Sequence, residues 1–115
     1  MNGYFGMVLL HEIRDKIARR LYEYSRHAVD QSIIRDITVA ELEQALTGPC
    51  ELLEDYPEDK YGPSCLILGF TGTGRPIHVH CSYPVRSLIK IITVYEPEQS
   101  RWKASRTRRK DRQSE

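Results

Sequence analysis

The stretch "YSRHAVDQSIIRDITVAEL", Tyr24 to Leu42, carries His27, Gln31 and Arg35 at four-residue steps. On a helix that turns about 100° per residue these three fall within an arc of about 80°, with Val29 and Ile33 nearly opposite. Histidine moves protons near neutral pH, and a guanidinium grips two oxygens of a phosphate. Lining a cleft, the pair suits phosphodiester chemistry. Facing open water, it is a solvated stripe that balances the side on which Val29 and Ile33 pack.

A second group lies in "RPIHVHCSY". In an extended strand His78 and His80 point to one face and Ile77, Val79 and Cys81 to the other. If the aliphatic side packs on helices, both histidines face away from them; if the sheet is reversed, both face the helices and His27, and the alternation alone fits either. Cys81 points away from the two histidines and no standard zinc spacing occurs, so no metal and no other cofactor is expected. The glycines of "GFTGTG" sit between two strand-like runs without the lysine and helix that a phosphate cradle needs, and they read as a hairpin turn. In "LIKIITVYEPE" strict alternation puts Ile89, Ile91, Thr93 and Tyr95 on one face and Leu88, Lys90, Ile92 and Val94 on the other. Tyr95 then offers its hydroxyl to a ligand or caps the core.

The elements that must hold these groups are legible from the pattern. Leu9, Leu10, Ile13, Ile17 and Leu21 recur at helical spacing among charged neighbours, which marks an amphipathic helix. Tyr22 to Tyr24 either continues it or forms a short extended link, and Ser25 is the expected N-cap of the helix that carries His27. "TVAE", Thr38 to Glu41, fits a capping box, with the helix ending near Gly48-Pro49. After Pro49 come "CELLEDY", "SCLILGF", "PIHVHCSY" and "SLIKIITVY", rich in branched and aromatic residues and separated by short Gly- and Pro-containing turns. Short connections imply antiparallel neighbours. The fold class is therefore α+β: two or three N-terminal helices packed on one face of an antiparallel sheet of three to four strands.

The 115 residues fit one domain, expected over 1–100, followed by a basic tail over 101–115. Residues 1–100 hold ten Lys and Arg against fourteen Asp and Glu, whereas 101–115 hold seven against two. Such a tail is a disordered solubilising segment, an attractor of nucleic acid or another acidic partner, or a strap. The seven acids and no base between Glu41 and Asp59 give a strap something to bind on its own domain or on a twin. Trp102 is expected to pack back on the domain and order the start of the tail. Three cysteines with no close pairing, in mostly apolar surroundings, point to a reducing compartment, the cytoplasm. The opening "MNGYFGMVLL" lacks a basic n-region, so neither a secretion signal nor a membrane span is expected.

Taken in order, "YSRHA", the arginine of "IIRDIT", "LEQAL", "EDYPEDKYGPSCLILG", "GRPIHVH" and "IITVYEP" resemble the domain of unknown function family 4258 (DUF4258) from about Tyr22 to Trp102. His27, Arg35, His78, Thr93 and Tyr95 match the family pattern. Gln31 departs from it, standing where the family commonly has a basic residue. The family's layout looks like that of the RelE and BrnT ribonuclease toxins of toxin-antitoxin pairs. The resemblance implies an uncharacterised domain acting as a metal-independent endoribonuclease. In that role His27 is base or acid, Arg35 the phosphate clamp and His78 the second proton-transfer group, while Gln31, Lys60 and Tyr95 contact substrate. It implies RNA and an antitoxin protein as partners and leaves the oligomeric state open, a homodimer included. The competing reading is a non-catalytic protein- or RNA-binding module in which His27 and Arg35 pin a helix to the sheet.

Overall fold

A computed structural model describes residues 3–109. Its elements in chain order are α1 (Gly3–Ala18), β1 (Tyr22–Tyr24), α2 (Arg26–Ile34), α3 (Val39–Thr47), β2 (Cys50–Tyr56), β3 (Ser64–Phe70), β4 (Pro76–Ser82), β5 (Ile89–Tyr95), β6 (Trp102–Lys103) and β7 (Thr107–Arg108). The α+β class holds, with the helices at the N-terminal end. The sheet is larger than expected: five strands in the order β1-β5-β4-β3-β2, with a separate β6-β7 hairpin. The run β2 to β5 is antiparallel throughout. Tyr22 to Tyr24, too short to signal a strand, pairs in parallel with β5 through Ile89 to Ile91. A parallel pair needs a long crossover, and here α2, α3 and three strands supply it.

The helices cover one sheet face. Leu9, Ile13 and Ile17 of α1 and Leu42, Ala45 and Leu46 of α3 are buried against Cys65, Ile67, Ile77, Val79, Cys81, Ile89, Ile91 and Val94. Gly69 lets α3 sit directly on β3, since a methyl there would overlap the backbone of Ala45. Thr38 and Glu41 form the expected capping box. Among the described residues no helix is long and apolar enough to cross a membrane.

Two β-bulges decide what the opposite face presents. Between β4 and β5 the register passes from His80↔Thr93 to Cys81↔Ile91, leaving Ile92 as the extra residue. An extra residue reverses the alternation beyond it. Ile89, Ile91 and Val94 therefore enter the helix-side core, while Thr93 and Tyr95 turn to the outer face with His78 and His80. Strict alternation had grouped Thr93 and Tyr95 with Ile89 and Ile91; the bulge separates them. A matching irregularity at Leu53 in β2 turns Glu54 and Tyr56 outward, opposite Leu66 and Ser64.

The C-terminal segment departs from a disordered tail as far as it is described. Residues 102–108 form a hairpin across the outer face, with Trp102 buried and Arg106 and Arg108 bonded to Glu51 and Glu54 of β2 at 2.8 and 2.6 Å. The acids of β2 thus receive part of the tail's basic charge, as a strap would. Residues 110–115 lie outside the described residues.

Candidate functional site

Ser25 sets the helix that carries His27. Its hydroxyl accepts from the Ala28 N–H (3.0 Å), which caps α2, and donates to the Ile92 carbonyl (2.8 Å) at the β5 bulge. Its own N–H donates to the Ile91 carbonyl (2.9 Å). One serine therefore locks the first turn of α2 to the strand position where Thr93 turns outward. At the other end Arg75 donates to the carbonyls of Arg35 and Asp36, each at 2.8 Å, and to Glu96 at 2.7 Å. That cation meets the unsatisfied carbonyl end of α2, where positive charge is favoured.

Packing of α2 differs from the pattern-based expectation. Ala28 is the residue it buries, while Val29 and Ile33 are 42% and 73% exposed. A nine-residue helix clamped at both ends needs only a small side chain against the sheet edge. His27, Gln31 and Arg35 nevertheless line a cleft of about 270 Å³ together with Thr93, Tyr95, Glu96, Glu98, Arg101, Trp102 and Arg108. Arg35 Nε faces Gln31 Oε1 at 3.4 Å, and its guanidinium lies 3.9 Å from Glu98. Both contacts are long and partly exposed, so the guanidinium is available for exchange onto another anion at little cost.

A larger cavity of about 770 Å³ adjoins this cleft and shares Thr93, Tyr95 and Arg108 with it. His80, Tyr56, Leu66, Pro57, Asp55, Glu58 and Asp59 complete its walls. The two adjoining openings, taken together as the outer-face groove, meet at these shared residues, with His27 lining one opening and His80 the other. Arg108, between them, is held by Glu54 at 2.6 and 3.1 Å and stacks over the Trp102 ring at 4.5 Å. Glu54 stays charged although burial opposes it, because Arg108 and Tyr56 hydrogen-bond to it.

His78 occupies a different environment from the one the resemblance implies. It is fully buried beneath the hairpin, 2.7 Å from the Ser105 carbonyl through Nε2, 3.2 Å from the Tyr95 hydroxyl through Nδ1 and edge-on to Trp102 at 4.4 Å. A carbonyl accepts only, so Nε2 carries the proton and Nδ1 accepts from Tyr95. Burial pushes its pKa below the usual histidine value. It lines neither opening of the groove, and its visible work is to hold the hairpin and aim Tyr95. Lys60 also lines neither opening and lies over the Tyr61 ring at 5.0 Å. Tyr95 and Gln31 are in the groove.

Reasoning from sequence missed His80 and Arg108 as groove residues. The alternating "HVH" did place His80 beside His78 on one face, and the structure turns that face away from the helices. What pattern could not supply was the hairpin, which covers one histidine and leaves the other open. Among the described residues no three His, Cys, Asp or Glu side chains gather so as to hold a metal ion.

No curated protein matches the chain, and no solved structure matches it. A family match covers residues 24–96, from the last residue of β1 to the acid that follows β5, and so includes α2 and β2 to β5 but not the β6-β7 hairpin that brings Trp102 and Arg108 to the groove. The chain belongs to the family described as a domain of unknown function, DUF4258.

Proposed function

We propose that the outer-face groove binds single-stranded RNA and cleaves its phosphodiester backbone without a metal ion. One observation carries this reading: the His27–Arg35 cleft and the His80 cavity adjoin through Thr93, Tyr95 and Arg108, so a phosphate at the junction has an imidazole on either side. Cleavage by the ribose 2′-hydroxyl needs a base, an acid and cationic stabilisation of the phosphate. Two imidazoles and the Arg35 guanidinium supply those three functions, each imidazole contributing on the order of 10²- to 10⁴-fold. Phosphate belongs on the side of Arg35, Arg101 and Arg108. The carboxylates of Asp55, Glu58 and Asp59 repel it and suit the N–H and O–H groups of base and ribose.

In this reading the protein is a cytoplasmic toxin of the RelE or BrnT kind with an antitoxin partner. Expression in bacteria tests it: wild type should arrest growth and degrade RNA, and His27→Ala and Arg35→Ala should do neither while melting as the wild type does. Intact RNA and normal growth with the wild type would overturn it. A second reading, a non-catalytic binding module, is favoured by Val29, Ile33 and Ile34, which α2 leaves exposed for a protein partner. The same expression experiment separates the two, because a module leaves RNA intact.

A further inference from the structure

Three side chains outside the His27 stripe form a hydrogen-bond chain that ends in the larger cavity. Ser64 Oγ donates to Asp59 Oδ2 at 3.0 Å and lies 2.9 Å from His80 Nε2. A hydroxyl has one proton to give, and an ionised carboxylate only accepts. With that proton committed to Asp59, the Ser64 oxygen must accept from His80 Nε2–H. The imidazole is thereby fixed in the tautomer whose Nδ1 carries a lone pair. Burial lowers the pKa of His80, the charge of Asp59 opposing, which keeps that lone pair free of a proton at neutral pH. Tyr56, edge-on at 5.6 Å, holds the ring plane. Ser64 is itself buried and its proton is turned toward Asp59, so its oxygen is a relay and not a nucleophile.

We propose that His80 is the general base of the groove, with Nδ1 as the proton-accepting atom and Ser64 and Asp59 as positioning residues that fix its tautomer. The assignment rests on the RNA-cleavage reading and gives it a direction. Nδ1 of His80 takes the 2′-hydroxyl proton, and the 2′ oxygen bonds to the adjacent phosphorus. The bond from phosphorus to the 5′ oxygen breaks, and the leaving oxygen takes a proton from the imidazolium of His27. A 2′,3′-cyclic phosphate and a 5′-hydroxyl result, with one proton gained by His80 and one lost by His27. The exposed position of His27 on α2 lets solvent restore its proton.

Asp59→Asn provides the test, because it reverses the chain. Its amide N–H donates to Ser64, whose proton then turns to His80 Nε2 and forces the proton of the ring onto Nδ1. We expect ¹⁵N NMR to show His80 as Nε2–H in the wild type and Nδ1–H in Asp59→Asn at unchanged melting temperature. The variant's kcat should fall by about 10²- to 10⁴-fold, the penalty for a base held in the wrong tautomer. Ser64→Ala should lose less, and His80→Gln should erase the basic-group limb of the pH–rate profile. A wild type with Nδ1–H, or RNA cleavage by His80→Gln at the wild-type rate and pH profile, would overturn the assignment and leave the groove reading standing. A wild type that does not cleave RNA would overturn both.

Discussion

Replacing His78 by alanine tests whether the C-terminal hairpin belongs to the fold. The Nε2–H bond to the Ser105 carbonyl is buried at both ends, so its loss strands an acceptor, a cost of about 1–3 kcal/mol. Ser105 and Ala104 both hold left-handed backbone, at φ 64° and 52°, in the turn that this bond steadies. Removing a ring that packs edge-on against Trp102 leaves a hole and adds a further share, for a total of about 3–5 kcal/mol. The ion pairs of Arg106 and Arg108 are half-exposed and offset little of that. Trp102 is the single tryptophan and is buried, so its emission reports docking of the hairpin directly. His78→Ala should shift that emission to the red and lower the urea midpoint.

The same histidine makes docking pH-dependent. Its folded pKa lies below the ordinary value of 6.5, so the undocked chain binds more protons on the acid side. The contribution is complete above pH 6.5 and is lost as pH falls below it toward the folded value. His80, shifted the same way by burial but open to the cavity, adds to the pH dependence of global unfolding and not to that of docking. His78→Gln keeps an N–H for Ser105 and removes the titration, so it should flatten the response. Unchanged tryptophan emission in His78→Ala, together with a stability loss under about 1 kcal/mol, would refute the packing argument.

Gly69→Ala should destabilise the domain by more than about 3 kcal/mol in denaturant unfolding, because the added methyl meets the Ala45 backbone, which cannot swing aside. Tyr24→Phe should be neutral or stabilise by about 1 kcal/mol, since the Tyr24 hydroxyl is buried without a hydrogen-bond partner among the described residues. Arg75→Ala should cost about 1–3 kcal/mol and speed amide exchange at the end of α2, through loss of its bonds to the Arg35 and Asp36 carbonyls and to Glu96.

Local chemistry in the sequence announced much of the frame. The spacing of Leu9, Ile13 and Ile17, the Ser25 cap, the Thr38–Glu41 box and the division of "IHVHC" into an aliphatic and a histidine face all describe the folded chain. What pattern missed depends on partners distant in sequence. Ile92 becomes an extra residue only because β4 skips it, and that skip sends Thr93 and Tyr95 into the groove. Three residues at β1 have no periodicity of their own and become a strand only beside β5. His27, Gln31 and Arg35 shared a stripe as their spacing required, yet the side expected to pack, Val29 and Ile33, is exposed because the sheet edge accepts only Ala28. His78 and His80 are indistinguishable in a two-residue repeat. A hairpin more than twenty residues later seals one and leaves the other open.

The central claim, an RNA-cleaving groove flanked by two imidazoles, is tested most directly by mass analysis of a single-stranded RNA oligonucleotide incubated with excess pure protein in EDTA. Our account requires fragments ending in 2′,3′-cyclic phosphate and beginning with 5′-hydroxyl, absent when His27 or His80 is replaced. Full-length oligonucleotide after prolonged incubation, or the same fragments from the double variant, would contradict it.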